Sequence, residues 1–268
     1  MKPGTESRIM KAAWLPAFLV ALALLCGPGA SRPAYAGALI TDGTFVATSL
    51  SAGGFLCANG SGVGNTCTSN LTDWSGTCSP SSCVGTSTPG SLLFKGTTDA
   101  VVSAWNGGLG LYPTILNPPG GGNVVAIDGG APYASSIFQK VSGLSIGDRY
   151  SLTFYQGAAQ QEGMSGATTE QWQVTFGSST KSSTLMNNAS EGVVGWGQQT
   201  MTFIATSTSE TLTFLAVGTP SGEPPVVLLA DVAMSDIPEP ASLVLVGGGL
   251  LALAVARRRA SAAKAALG

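Results

Sequence analysis

The amino-acid sequence predicts an all-β fold, a jelly-roll β-sandwich body that lies between two trafficking segments. Polar and apolar residues alternate over 150–155, 172–176, 200–205 and 211–216, a pattern typical of half-buried antiparallel strands. Turn-forming Gly, Ser and Asp residues separate these runs, and no segment of the body keeps a 3.6-residue apolar period. Many short strands joined by such turns favour two packed sheets.

Residues 1–36 have the three regions of a secretory signal peptide. Three basic residues come first: Lys2, Arg8 and Lys11. An apolar run over 12–25 follows, and Ala34 and Ala36 form a small-residue cleavage site, so the mature chain is expected to begin at Gly37 in an exported protein. A lipoprotein modified at Cys26 is an alternative, although the residue before that cysteine is a leucine.

The body, residues 37–236, has a length that suits one all-β domain. It contains four basic and twelve acidic residues, for a net charge of −8. A nucleic-acid partner is excluded on this basis, because binding phosphate requires clustered Lys and Arg.

Four cysteines lie in the body: Cys57, Cys67, Cys78 and Cys83. An even number in an exported chain predicts two disulfides. Three pairings are possible, and the short spacings favour Cys57 with Cys67 and Cys78 with Cys83. A zinc site is the alternative, but paired CxxC motifs are absent from the sequence. The disulfides would cross-link a surface loop over 51–89, which is rich in Gly, Ser and Thr.

The C-terminal region, 237–268, joins three features in order. They are Pro238-Glu239-Pro240, an uncharged apolar segment over 241–256, and the cluster Arg257, Arg258 and Arg259. The apolar segment predicts a short transmembrane helix, below the roughly 20 residues that span a bilayer comfortably. Arginines after it predict a cytoplasmic flank. On physical grounds alone, the apolar segment would be a permanent tether of the protein to the membrane.

These residues resemble the PEP-CTERM protein-sorting signal, whose domain nomenclature includes the label ice-binding protein C-terminal domain. The resemblance implies recognition by an exosortase, an inner-membrane intermediate and removal of the apolar helix. It also implies delivery to the cell envelope, outer surface or extracellular matrix of a Gram-negative, exopolysaccharide-producing bacterium. The label carries no expectation of ice binding. The Thr-rich strands suggest an ice-binding role as a weaker alternative, although their Thr residues have no repeat period.

A second resemblance covers most of the body. The stretches 122–129, 138–139, 141–144 and 154–177 are similar to the galactose-binding-like jelly roll, in which a C-terminal strand such as 226–234 lies near a first strand such as 38–46. Many members of that superfold bind carbohydrate, and many carry a structural calcium ion. The resemblance therefore implies a glycan such as exopolysaccharide as a partner, but no assigned activity.

Aromatic residues in Gly- and Pro-rich segments are the candidates for contact with sugar rings: Trp105, Tyr112 and Tyr133. Gln160 and Gln161 flank a predicted loop and are candidates for contact with sugar hydroxyls. The alternative is that the aromatic residues cover the edge of the core and the loop is solvated. For Trp172 and Trp196, covering the edge of the core is favoured over contact with sugar.

Calcium is the one cofactor that the sequence suggests. Asp42 and Asp231 lie in strands expected to be neighbours, so they are candidates to share one ion through carboxylate oxygens. Turn and capping roles for both residues are the alternative.

Catalysis is not predicted. The chain contains no histidine, which excludes Ser-His-Asp, Cys-His and histidine-metal mechanisms. A glycosidase-type carboxylate pair drawn from Asp128, Glu162 and Glu170 is the remaining possibility. The preferred hypothesis is a non-catalytic exported matrix or envelope protein. A permanently tethered surface adhesion module is the alternative, and an extracellular carbohydrate-active enzyme is a third.

Overall fold

Two antiparallel sheets pack face to face in the computed structural model of the chain. The structure describes residues 39–48, 54–55, 57–58, 66–69, 71–77, 91–94, 111–112, 117–131, 133–238, 248–258 and 261. The strands within these residues are β1 (Gly54–Phe55), β2 (Cys57–Ala58), β3 (Thr66–Ser69), β4 (Ser75–Thr77), β5 (Ser91–Phe94), β6 (Leu111–Tyr112), β7 (Val124–Asp128), β8 (Ser136–Ser142), β9 (Arg149–Gln161), β10 (Thr168–Phe176), β11 (Ser179–Ser182), β12 (Met186–Asn188), β13 (Val193–Ile204), β14 (Ser209–Thr219) and β15 (Pro225–Ile237).

Sheet 1 has the strand order β1-β5-β7-β15-β9-β13, with β6 paired to β9. Sheet 2 has the order β11-β10-β14-β8-β4-β3-β2, with β12 paired to β10. Strands distant in sequence are neighbours in both sheets, as the pairing of β15 with β7 and β9 shows. This two-sheet arrangement confirms the predicted jelly-roll β-sandwich.

Aromatic side chains fill the space between the sheets. Alternate residues of β10 are buried, and Trp172 packs edge-on against Phe214 of β14 with 5.9 Å between ring centroids. Phe154 of β9 approaches the same Phe214 ring at 5.1 Å. The indole nitrogen of Trp172 also donates a 3.0 Å hydrogen bond to the carbonyl of Leu228 in β15. Burial of such rings, at about 2–3 kcal/mol each, supplies much of the force that holds the sheets together.

The outer face of sheet 1 is also apolar over its central strands. The buried residues of this second cluster are Leu111, Val124, Ala126, Ala159, Val226 and Leu228. All five residues of β7 are buried. Burial on both faces explains why β7 reads as a continuous apolar run instead of an alternating one.

The sequence predicted a first strand over 38–46. This prediction is wrong for the residues of that segment that the structure describes. Residues 39–44 form bends and a turn, and Thr48 forms only an isolated bridge to Leu71, because the Asp42 carboxylate accepts the backbone N–H groups of Val46 at 2.8 Å and Ala47 at 3.0 Å. A side chain that captures its own backbone in this way competes with strand pairing. The expected proximity to the last strand is nevertheless present, since the Val232 N–H donates to the Gly43 carbonyl at 2.8 Å.

The C-terminal region contains one described helix, α1, over residues 248–258. The helix is exposed, and the predicted apolar segment began earlier, at residue 241. No helix among the described residues is long and apolar enough to cross a membrane, so the predicted transmembrane helix is not found there. The predicted signal peptide and its cleavage residues Ala34 and Ala36 lie outside the described residues, as do Glu239, Pro240 and Arg259.

Candidate functional site

Trp196 lies on the outer face of sheet 1. The register between β9 and β13 shifts between Val194 and Gly197, and this bulge presents the indole ring toward the apolar cluster of that face, where it is half-buried. A Cβ placed on Gly157 would lie 3.6 Å from Cε3 of Trp196. The ring therefore lies over the bare backbone of Gly157, which leaves room for it.

Tyr155 lies two residues before Gly157 in β9, so both residues belong to the outer face of sheet 1. Its neighbours are Gln198 of β13 and Ala230 of β15, which pair with it directly. Tyr155 is half-buried, Gln198 is exposed and Ala230 is buried. We call these residues, Tyr155, Gly157, Trp196, Gln198 and Ala230, the Tyr155–Trp196 face. Two half-exposed rings beside small residues and an amide form a surface on which a flat apolar ligand can stack.

The sequence did not select Trp196 or Tyr155 as site residues. For Trp196, covering the edge of the core was favoured over contact with sugar, and Tyr155 was one residue of an alternating strand. Glycines on both sides of Trp196 were the available signal, because Gly within a strand indicates a bulge or a close backbone approach.

The predicted sugar-contact residues are spread over two loop regions. Tyr112 of β6 pairs with Gln160, and its hydroxyl accepts the Gly163 N–H at 2.9 Å. Gln161 is half-buried and pairs with Leu111. Tyr133 is 37% exposed in the loop after β7. Trp105 lies outside the described residues.

The structure corrects the prediction for Gln160. This side chain is fully buried and both halves of its amide are engaged. Nε2 donates to the Gly166 carbonyl at 2.9 Å, and Oε1 accepts the Glu191 N–H at 2.6 Å. Gln160 therefore ties together two loops, 162–167 and 189–192, and is not exposed to a ligand.

Asp231 fits a calcium ligand better than Asp42 does. Oδ2 of Asp231 accepts the Gly120 N–H at 2.6 Å, while Oδ1 is buried and has no hydrogen-bond partner among the described residues. An unpaired carboxylate oxygen is suited to a hard cation. Both carboxylate oxygens of Asp42 are instead used by backbone N–H groups in its turn. No group of three or more His, Cys, Asp or Glu side chains is placed to hold a metal within the described part of the chain.

The three carboxylates considered for catalysis do not line one cleft. Glu170 alternates with Trp172 on the inner face of sheet 2 and is fully buried. Asp128 alternates with Val124 and Ala126 on the outer face of sheet 1. Sheet 1 therefore lies between these two carboxyl groups, and Glu162 lies in the turn after β9. A glycosidase pair needs both groups beside one bond, which this arrangement does not provide.

Burial raises the pKa of both interior carboxyl groups. The pKa of Glu170 rises to about 7 and that of Asp128 to about 6, because burial disfavours the charged forms. Hydrogen bonds act against this effect without cancelling it. The Thr168 hydroxyl donates to Oε1 of Glu170, and the Gly130 N–H donates to Oδ1 of Asp128 at 2.7 Å.

The backbone places two of the four cysteines on neighbouring strands. Cys57 of β2 pairs with Ser69 of β3, and Cys67 lies on β3 two residues before Ser69. Diagonal neighbours lie about 7–8 Å apart, farther than the Cα separation that a disulfide usually spans, so the backbone does not support the Cys57–Cys67 disulfide, which stays a prediction. Cys78 and Cys83 lie outside the described residues.

The last residues of β15 begin the sorting tail. Asp236 and Ile237 pair with Tyr150 and Arg149 of β9, Pro238 follows, and Arg257 and Arg258 lie exposed at the end of α1. The PEP-CTERM protein-sorting motif matches residues 236–259. The chain carries a PEP-CTERM sorting tail. Such a tail indicates an exported protein that is sorted to the cell envelope, and this confirms the first resemblance.

Comparison with solved structures returns sandwiches of low similarity. TmCBM61, solved in complex with β-1,4-galactotriose, is 11% identical, covers 62% of this chain and 90% of its own, and gives a TM-score of 0.36. The N-terminal cellulose-binding domain of Cellulomonas fimi β-1,4-glucanase C is 20% identical, covers 52% and 90%, and gives 0.29. A family 16 carbohydrate-binding module is 13% identical, covers 49% and 88%, and gives 0.28.

At these scores, the likeness carries no argument about a ligand for the PEP-CTERM chain. A search of curated protein sequences returned no match.

Proposed function

We propose that this PEP-CTERM protein is an exported, non-catalytic component of the envelope or extracellular matrix of a Gram-negative bacterium. Exosortase would act on its tail at the inner membrane, and the sandwich would bind a glycan such as exopolysaccharide. The motif at 236–259, joined directly to the last strand of the sandwich, is the observation that carries the proposal.

Glycan binding is assigned to the Tyr155–Trp196 face. The two rings offer apolar surface to the C–H faces of a sugar, and the exposed amide of Gln198 offers a donor and an acceptor to its hydroxyls. The separation of Asp128 and Glu170 by sheet 1 supports binding without hydrolysis.

Intact mass of the protein from its native host tests the sorting step. The full chain is 26.8 kDa over 268 residues, so processing near residues 238–241 removes about 3 kDa, and removal of residues 1–36 lowers the mass by about 3.6 kDa more. A mass that still includes Gly268 would contradict processing and support the second candidate, a permanently tethered surface adhesion module. Each predicted disulfide would lower the measured mass by two hydrogens.

Glycan arrays test the binding step. Trp196→Ala should weaken binding of the best glycan by about tenfold or more, because stacked aromatic anchors carry a large share of binding energy. Thr213→Ala, on the outer face of sheet 2, is the matched control and should bind as the wild type does. Loss of binding in Tyr133→Ala with none in Trp196→Ala would instead favour the loop after β7 as the site.

A further inference from the structure

Three exposed isoleucines gather where the sandwich meets the tail. Ile146, Ile204 and Ile237 are 66%, 54% and 38% exposed. Ile204 of β13 and Ile237 of β15 pair with Arg149 of β9 from its two sides. Directly paired residues share a face, so an exposed arginine lies between two exposed isoleucines. Ile146 belongs to the loop 143–148 that leads into Arg149.

The loop that carries Ile146 is held in place by hydrogen bonds. The Gly147 N–H donates to the Ala205 carbonyl at 2.8 Å, and the Ala205 N–H donates to the Asp148 carbonyl at 3.1 Å. The Tyr150 hydroxyl accepts the Ser145 N–H at 2.9 Å from inside the sandwich. Ile146 is therefore presented beside Ile204. We call loops 143–148 and 205–208, with the strand ends Arg149, Ile204 and Ile237, the tail-proximal end.

Charge is distributed unequally between the two ends of the sandwich. The opposite end, with loops 129–135, 162–167, 189–192 and 220–224, has no Lys or Arg among its described residues, and its acidic residues are Asp128, Glu162, Glu170, Glu191 and Glu223. All the basic residues described between 117 and 238 lie in the tail-proximal half: Lys140, Arg149 and Lys181.

The tail-proximal half also contains acidic residues, which are at least as numerous as its three basic residues. Glu210 is buried, and its Oε1 accepts the backbone N–H groups of Thr206 at 2.6 Å and Ser207 at 3.0 Å. Asp148 and Asp236 are further acidic residues there, and Asp73 lies level with Lys140, because Ser75 pairs with Phe138. An anionic surface would therefore be repelled less by the tail-proximal end, where Arg149 is exposed, than by the opposite end, which has no Lys or Arg among its described residues.

The tail is too short to hold this end far from a bilayer. Only residues 238–240 separate Ile237 from the apolar segment that begins at residue 241. Four extended residue steps span at most about 14 Å. A segment anchored from residue 241 onward would therefore bring the tail-proximal end to the depth of the lipid headgroups.

We propose that the tail-proximal end docks on an anionic lipid surface while the tail is in the membrane. Ile146, Ile204 and Ile237 enter the headgroup region, and Arg149 binds lipid phosphate. This inference rests on the proposed membrane-bound stage of sorting. The docked end would hold residues 238–240 at the bilayer surface in a defined orientation.

Hydrogen exchange of the full chain in vesicles tests the docking. Vesicles of equal parts phosphatidylglycerol and phosphatidylcholine should slow exchange over 143–149 and 204–208, relative to non-ionic detergent micelles. Ile146→Ser and Ile204→Ser should each reduce this slowing by about fivefold to tenfold, the loss expected for removing one partly inserted side chain. Met164→Ser, which alters a 37% exposed residue of the opposite end, is the matched control and should leave the slowing unchanged.

Vesicle flotation distinguishes a failure of the docking proposal from a failure of the proposed membrane-bound tail. If the chain floats but exchange is the same in vesicles and micelles, docking is refuted and the membrane-bound tail stands. Slowing that neither isoleucine variant reduces also refutes docking, as does slowing that appears only when exosortase is added, which would identify a protein partner. If the chain does not float, both the tail and the docking proposals fail.

Discussion

Glu170 is a carboxylic acid enclosed between the two sheets, and its replacement by glutamine tests how burial controls stability. Oε1 accepts the Thr168 hydroxyl, while Oε2 is buried without a hydrogen-bond partner among the described residues. A protonated Oε2 is a donor, whereas an ionised one is an acceptor without a donor. The amide introduced by Glu170→Gln would keep the acceptor for Thr168 and would carry no charge at any pH.

The sign of the effect follows from the pKa. Burial raises the pKa of Glu170 from 4.5 to about 7, so the folded chain retains a proton that the unfolded chain has lost between these values. Stability from this group is therefore present below pH 4.5 and is lost as the pH rises to about 7. A difference of this size corresponds to about 3 kcal/mol of unfolding free energy.

Urea unfolding of wild type and Glu170→Gln at several pH values measures this effect. The advantage of the variant should grow by about 3 kcal/mol from about pH 4 to about pH 8, since every other titrating group, including Asp128, is common to both proteins. Glu191→Gln, at an exposed position, is the control and should show no such growth. A gap between Glu170→Gln and wild type that is the same at both ends of this pH range would refute the reasoning.

Further substitutions test the sandwich and the proposed binding of calcium by Asp231. Trp172→Phe should lower the free energy of unfolding by about 2–4 kcal/mol, because it leaves a cavity and removes the donor to the Leu228 carbonyl; a loss below about 0.5 kcal/mol would contradict this packing. Gly177→Ala should cost about 1–2 kcal/mol, because φ is +58° and the new Cβ would lie 2.7 Å from the Glu210 carboxylate. Gly195→Ala, which meets nothing within 4 Å, is its control and should be nearly neutral. Millimolar calcium should raise the Tm of the wild type and not of Asp231→Asn; an equal response of both proteins would show that calcium does not bind through Asp231.

Local patterns were sufficient to predict four of the long strands and the tail. The alternating runs in β9, β10, β13 and β14 predicted strands because side chains of a strand point to opposite faces in turn. The segment 38–46 was predicted as a strand and forms a turn, because the Asp42 side chain binds the backbone N–H groups of Val46 and Ala47. Propensity did not reveal that competition.

The candidate site was predicted less well. Gln160 has a polar side chain at the end of a predicted strand, and only the positions of Gly166 and Glu191 show that its amide is buried and engaged. For Trp196, covering the edge of the core was favoured over contact with sugar, and only the bulge in β13 shows that it lies on the outer face of sheet 1.

The sequence by itself determined the features that depend on local segments or on composition. These are the strand-forming alternation, the acidic net charge of the body and the contiguous sorting motif at 236–259. Only the tertiary structure decided which side chains meet across strands. Ile204 and Ile237 lie beside Arg149 because β13 and β15 pair with opposite edges of β9, and Glu170 is buried because the second sheet covers it. Such neighbours are set by pairing between distant segments, which local periodicity does not encode.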